Sequence, residues 1–109
     1  MNIKEFINAV QDRPQMYVEE VKLDYIYYLL MGFLGSNMVN RSGSKIDQTF
    51  KIYFSNWVLE WVKKNVNENY ERRSFFWYHI LTDITNSERE ATELFFQLSN
   101  EFFQELAIN

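Results

Sequence analysis

Residues 87–106 read SEREATELFFQLSNEFFQEL, and this stretch decides the fold class. Ser87 and Glu90 have the spacing of a capping box, in which two side chains serve backbone amides at the start of a helix. The apolar residues that follow recur three or four positions apart, as one face of an α-helix requires. These residues are Ala91, Leu94, Phe95, Leu98, Phe102 and Leu106. The stretch therefore predicts a long amphipathic helix.

Helical spacing recurs towards the N-terminus of the chain. A first helix is predicted from Ile3 to about Asp12, since Pro14 disfavours helical geometry in the residue before it. A second helix begins near residues 21–24. It is apolar around most of its circumference, so we expect it at the centre of the packed molecule.

Two further helices are predicted between residues 47 and 84. Asp47 is the expected N-cap of the third helix, and Ser74 is the expected N-cap of a short fourth helix. No stretch shows the sustained alternation of a β-strand. We therefore predict an all-α fold, a single compact bundle of about five helices that forms one domain over residues 1–109.

Few residues in the chain could carry catalysis or bind a metal. The 109 residues include no cysteine and one histidine, His79, which excludes thiol chemistry and a site with two histidines. We expect His79 to be partly buried and hydrogen-bonded. The carboxylate pairs have the spacing of exposed helix faces. The sequence therefore predicts no catalytic residue, no metal site and no cofactor.

The charge is unevenly distributed along the chain. The net charge is −4, while residues 83–105 contain six acids and one base, which is a local charge of −5. Nucleic-acid binding usually needs the opposite balance. Single-stranded RNA remains an alternative through Lys63, Lys64, Arg72 and Arg73 with nearby rings. No apolar run is long enough for a membrane span, and no signal peptide is recognised, so the expected compartment is the cytoplasm.

Aromatic residues make up 18% of the chain, and some do not fall on the apolar side of their predicted helices that would face the core. We expect Phe96 and Phe103 to turn partly away from the core beside the acids of the last helix. Such rings anchor protein partners well. A thicker core or a homodimer interface would account for them equally well. The predicted partner-binding residues are Glu88, Glu90, Glu93, Phe96, Glu101 and Phe103, followed by Glu19, Glu20 and Asp24.

The order of motifs is similar to that of a known bacterial group. Arg13-Pro14-x-Met16-Tyr17 precedes a helix rich in tyrosine and leucine, and the chain ends in Leu94-Phe95-Phe96-Gln97-Leu98. Between them lie Phe54-x-x-Trp57-Val58 and Trp77-x-x-Ile80-Leu81. This order, from about Ile3 to Phe103, resembles small immunity proteins of contact-dependent growth inhibition and polymorphic toxin systems that share an RPxMY turn.

The resemblance implies a function without catalysis. An immunity protein binds one cognate toxin domain in the cytoplasm and neutralises it, and many such toxins are nucleases with basic clefts. An acidic helical protein could cover such a cleft by occlusion and charge complementarity. The alternative is a helical interaction or regulatory module without a toxin partner, in which a homodimer is one arrangement.

Overall fold

The computed structural model describes residues 1–39, 44–71 and 76–108, which form five α-helices. The helices are α1 (Ile3–Asp12), α2 (Leu23–Val39), α3 (Lys45–Asn65), α4 (Trp77–Ile84) and α5 (Glu88–Ile108), and a short 3-10 helix, Pro14–Met16, follows α1. No strand occurs within these described residues. The prediction of an all-α bundle of about five helices is confirmed.

The first turns of α1 and α3 are fixed by capping boxes. In α1 the pair is Asn2 and Glu5. In α3 the N-cap is Ser44, whose Oγ accepts a hydrogen bond from the Asp47 amide at 3.3 Å, while Asp47 Oδ2 accepts one from the Ser44 amide at 3.2 Å. The prediction of Asp47 as the N-cap was therefore wrong by three residues. Its carboxylate belongs to the first turn of the helix, where negative charge stabilises the N-terminus.

The capping of α4 and α5 depends partly on residues outside the predicted motifs. Ser87 Oγ accepts a hydrogen bond from the Glu90 amide as predicted, but Glu90 reaches back to the Asn86 amide. The N-cap of α4 is Phe76, which has no side-chain acceptor. Ser55 of α3 accepts the hydrogen bond from the first helical amide, that of Trp77, at 3.0 Å. The predicted cap at Ser74 lies outside the described residues.

The core draws on all five helices, and between α3, α4 and α5 it contains a cluster of aromatic rings. Phe54 is fully buried and makes edge-to-face contacts with Phe95 and Phe102, at centroid distances of 6.1 and 5.3 Å. Trp77 stacks on Phe95 at 4.5 Å. Edge-to-face and stacked pairs contribute about 0.5–1.5 kcal/mol beyond the burial of their surface. These contacts hold the two longest helices against α4.

The helix at the centre of the bundle is α5. It contacts each of the other four helices, whereas Tyr25, Tyr28 and Gly32 of α2 are exposed. The prediction that α2 is central was wrong, because much of its apolar surface consists of tyrosine rings that tolerate contact with water. Within the described residues, none of the helices combines the length and hydrophobicity that crossing a bilayer requires.

Candidate functional site

The predicted acidic residues of α5 lie mainly along one exposed side of the helix. Because an α-helix turns about 100° per residue, Glu90, Glu93 and Glu101 share this side with Glu105. Glu101 is half-buried and the other three are exposed. We call these four carboxylates the acidic side of α5. Glu88 is also exposed but lies on a different side, at the start of the helix.

Few cations stand beside the acidic side of α5. Arg89 forms an exposed ion pair with Glu93 at 3.0 Å, in the i,i+4 arrangement. Gln97 donates a hydrogen bond to Glu101 at 3.3 Å. An exposed ion pair of this kind contributes little to stability and is screened by salt. The surface therefore keeps its negative potential, which is available to attract a basic partner.

The expectation that Phe96 and Phe103 turn partly away from the core was wrong, and the alternative of a thicker core is confirmed. Their side chains are 8% and 4% exposed, and Phe103 stacks on Phe50 of α3 at 5.8 Å. Since α5 has neighbours on several sides, its buried arc is wider than one amphipathic face. Both phenylalanines contribute to the core and are not accessible to a partner.

The sequence does contain a signal for this second buried stripe. Thr92, Phe96, Ser99 and Phe103 follow one another at intervals of three or four residues, and all four are buried. The two hydroxyls donate to backbone carbonyls of the same helix, at 2.8 and 3.1 Å. Because each hydroxyl is satisfied locally, it can be buried at little cost. A stripe of phenylalanine with serine and threonine is thus compatible with a helix interface.

The second predicted set of acids lies beside exposed tyrosines. Glu19 and Glu20 are exposed and Asp24 is half-buried. Glu20 forms an ion pair with Lys22 at 3.0 Å, which places a cation among the three acids. The adjoining cavity has a volume of about 450 Å³. It is lined by Tyr17, Val18, Glu19, Tyr25, Tyr28 and Leu29. Tyr25 and Tyr28 are both exposed, which agrees with their position beside the apolar face of α2 that packs into the core.

A groove between α3 and α5 combines acids with tryptophans, and sequence reasoning did not find it. Its volume is about 480 Å³. It is lined by Trp57, Glu60, Trp61 and Lys64 of α3, by Asn65 at the end of that helix, and by Glu101, Gln104 and Glu105 of α5. On each helix these positions follow the i, i+3, i+4 spacing of one face. We call this cavity the α3–α5 groove.

The α3–α5 groove combines a net negative charge with two tryptophans. Three of its residues are glutamates and one, Lys64, is a cation, which leaves a charge of −2. Trp57 and Trp61 are half-buried, so part of each indole faces the cavity. Trp57 Nε1 donates a hydrogen bond to Glu105 Oε2. The two helices are therefore joined across the groove by a contact that orients one ring and one carboxylate.

The groove continues into a neighbouring cavity along α3. This cavity shares Trp57, Glu60 and Glu105 with the groove and has a volume of about 480 Å³. It adds the exposed side chains of Tyr53 and Leu106, which are 58% and 38% exposed. Leu106 was predicted to lie on the core-facing side of α5, but near the end of that helix its side chain is exposed. Together, the groove and this cavity are large enough to contact several side chains of a partner.

The part of the chain that the structure describes contains no cluster of His, Cys, Asp and Glu side chains that could hold a metal ion. His79 is exposed, and its ring lies edge-on to Tyr78 at 5.0 Å. The expectation that it is partly buried was wrong. It lies on the outer side of α4, because Trp77, Ile80 and Leu81 supply the buried face of that helix.

Two tyrosines at the contact of α2 with α4 have altered acidity. Burial raises the pKa of Tyr27 and of Tyr78 above the ordinary value of 10.0. The negative charges of Asp24 and Glu88 raise the pKa of Tyr78 further. The two rings pack against each other at 4.8 Å. Ionisation would put charge into this partly desolvated contact, so both phenols lose their protons less readily than a fully hydrated tyrosine does.

The basic residues considered for RNA binding do not form a described basic patch. Lys64 lines the acidic α3–α5 groove, and Lys63 is half-buried. Arg72 and Arg73 lie outside the described residues. Carboxylates beside Lys64 would repel phosphate, which disfavours the groove as a site for nucleic acid.

Comparison of the chain with protein-family models, with curated proteins and with solved structures finds no match.

Proposed function

We propose that this chain is an immunity protein, which binds one cognate toxin domain of a contact-dependent growth inhibition or polymorphic toxin system and neutralises it in the cytoplasm. The observation that carries the proposal is the acidic side of α5, formed by Glu90, Glu93, Glu101 and Glu105. It is a long negative surface on a helix whose opposite side is held rigidly in the core. The similarity of the motif order from Ile3 to Phe103 supports the same class.

The proposed mechanism is occupation of the toxin without chemistry. A basic cleft, as in a nuclease, would be attracted to the acidic side of α5 over a distance of about 8–10 Å, the screening length at physiological salt. Charge complementarity would raise the association rate and select against acidic partners. Once bound, the helical bundle would exclude the substrate from the cleft.

The acids near the N-terminus form a second and weaker candidate contact. Glu19, Glu20 and Asp24 border the exposed rings of Tyr25 and Tyr28. However, Lys22 neutralises part of their charge through its ion pair with Glu20. We therefore assign the initial attraction to α5, and a peripheral contact to this region.

Growth protection tests the proposal. A candidate toxin domain, chosen from the reading frame next to this gene, is expressed from an inducible promoter, with or without this protein, and colony formation is counted. We expect the cells to survive only when this protein is present. Equal killing in the two strains, with both proteins detected by immunoblot, would favour the alternative of an interaction module without a toxin partner.

A further inference from the structure

The α3–α5 groove has the chemistry of a receptor for a cationic side chain. Two tryptophans, Trp57 and Trp61, line it together with three carboxylates, from Glu60, Glu101 and Glu105, which outnumber its one cation, Lys64. A cation over an indole face is attracted by the electrons of the ring, and the attraction increases as water is excluded. The carboxylates that line the groove add a direct charge interaction. Both components favour the same kind of ligand.

We infer that the α3–α5 groove binds an arginine side chain presented by a protein partner. Arginine fits better than lysine for two reasons. Its planar guanidinium can stack on an indole ring while its edge donates hydrogen bonds to carboxylates. An ammonium group is more strongly hydrated and lacks a flat face. The three carboxylates come from both helices, so they can approach one guanidinium from different directions.

The surroundings of the groove indicate a protein segment and not a free amino acid. The neighbouring cavity continues past Trp57 to the exposed side chains of Tyr53 and Leu106. An apolar and aromatic extension of this kind suits the residues that flank an arginine in a polypeptide. Arginine and aromatic residues also dominate the strongest contacts in protein interfaces.

The inference rests on the proposed function for the identity of the partner, which would be the toxin domain. It specifies one contact of that complex, namely an arginine of the toxin between α3 and α5. Glu101 and Glu105 belong both to the groove and to the acidic side of α5. A partner attracted along the acidic side would therefore meet the groove at these two residues.

Nuclear magnetic resonance of the full chain tests the groove without any toxin. The probe is the capped peptide acetyl-Gly-Arg-Gly-amide, and the matched control peptide contains lysine in place of arginine. The readout is the indole N–H signal of each of the three tryptophans. Trp77 is 3% exposed and lies outside the groove, so it serves as an internal reference.

We expect the signals of Trp57 and Trp61 to shift and to saturate with a Kd on the order of 1–10 mM, as suits a single side chain. The lysine peptide should bind at least about threefold more weakly. The double substitution E60Q/E101Q should weaken arginine binding about tenfold, since it removes two charged acceptors. The matched control E68Q/E71Q removes two exposed carboxylates outside the groove and should leave binding unchanged.

Three outcomes of the peptide titrations would overturn the inference. They are equal shifts with both peptides, a Trp77 shift as large as that of Trp57, and unchanged binding in E60Q/E101Q. Indole shifts that depend on protein concentration without peptide would also overturn it, because a second copy would then occupy the groove. Arginine binding without growth protection counts against the proposed function alone. Growth protection without arginine binding would contradict the assignment of the groove as an arginine site but would still support the proposed function.

Discussion

Asp47 Oδ1 accepts a hydrogen bond of 2.6 Å from the backbone amide of Ile3, which joins the start of α3 to the start of α1. The other carboxylate oxygen accepts from the Ser44 amide and from Asn37 Nδ2, each at 3.2 Å. Asp47 is 4% exposed. One buried carboxylate therefore serves the N-termini of two helices and a side chain of α2.

Replacing this carboxylate by an amide should destabilise the protein. In Asp47→Asn one of the two oxygens becomes an NH₂ group, which cannot accept the hydrogen bonds now made there. We expect the free energy of unfolding to fall by about 1.5–3 kcal/mol, the range for a hydrogen bond to a charged group. Urea unfolding followed by circular dichroism measures the change.

Asp12→Asn is the matched control for Asp47→Asn. Asp12 is exposed in the last turn of α1, where a negative charge faces the carbonyl end of the helix. We expect its replacement to leave stability unchanged or slightly increased. A similar loss in the two variants would contradict the role assigned to Asp47.

The burial of Phe103 predicts a large effect on stability. Phe103→Ala should lower the free energy of unfolding by about 3–5 kcal/mol, as for other buried phenylalanines. Tyr28→Ala, at a ring that is 69% exposed, should change it by less than about 1 kcal/mol. Comparison of the two urea midpoints decides between a core position and an exposed contact. If both substitutions lowered the urea midpoint by the same small amount, the assignment of Phe103 to the core would be contradicted.

The contrast between Phe102 and Phe103 shows what could be predicted from the sequence. Helical spacing correctly identified the face of α5 that contains Phe95 and Phe102, because every helix must bury at least one stripe. It did not identify the second stripe, because its burial depends on helices that pack from other directions. The start of α1 and its end near Pro14 followed from local chemistry alone, and these predictions were confirmed.

The contacts that join distant segments could not be predicted. Asp47 and Ile3 are 44 residues apart, and Trp57 and Glu105 are 48 residues apart. Capping rules concern neighbours within one helix turn, so they placed Asp47 at the start of α3, although not at its correct position, and could not find its contact with Ile3. The α3–α5 groove likewise depends on how two helices approach each other. Acidic positions such as Glu90 and Glu93 were correctly placed at the surface, because charged residues are rarely buried alone.

Stability should fall at alkaline pH because of Tyr27 and Tyr78. Folding raises the pKa of both phenols, so folding favours the protonated form. Their contribution is complete below the unfolded pKa of about 10 and is lost as the pH rises through the higher folded value. We expect the urea midpoint of the wild type to fall as the pH rises above about 10.

The double variant Y27F/Y78F isolates this effect. It keeps both rings but removes the two ionising hydroxyls, so its urea midpoint should fall less steeply over the same pH range. Parallel curves for the variant and the wild type would show that other groups cause the alkaline loss.

Charge reversal on the acidic side of α5 should slow association with the toxin domain. The variant E90K/E93K changes the net charge by four and places cations where attraction is expected. We expect the association rate to fall about tenfold or more at low salt, and the difference to shrink as salt is added. Surface plasmon resonance at several salt concentrations measures both effects.

The variant E68K/E71K provides the control for charge reversal. It changes the net charge equally, at exposed positions between α3 and α4. Its association rate should stay closer to that of the wild type. An equal decrease of the association rate in both variants would indicate that the rate depends on the net charge of the protein and not on the location of the acids on α5. Glu90 also accepts a hydrogen bond from the Asn86 amide, so its replacement could affect stability. The melting temperature of each variant is therefore measured as well.

The most direct test of the account is a titration of the purified toxin domain with this protein, in which the activity of the toxin is measured after each addition. Neutralisation by occupation predicts a linear fall that reaches zero near one equivalent, together with a complex of matching stoichiometry in sedimentation. Full toxin activity in the presence of excess protein, with no complex formed, would contradict the account.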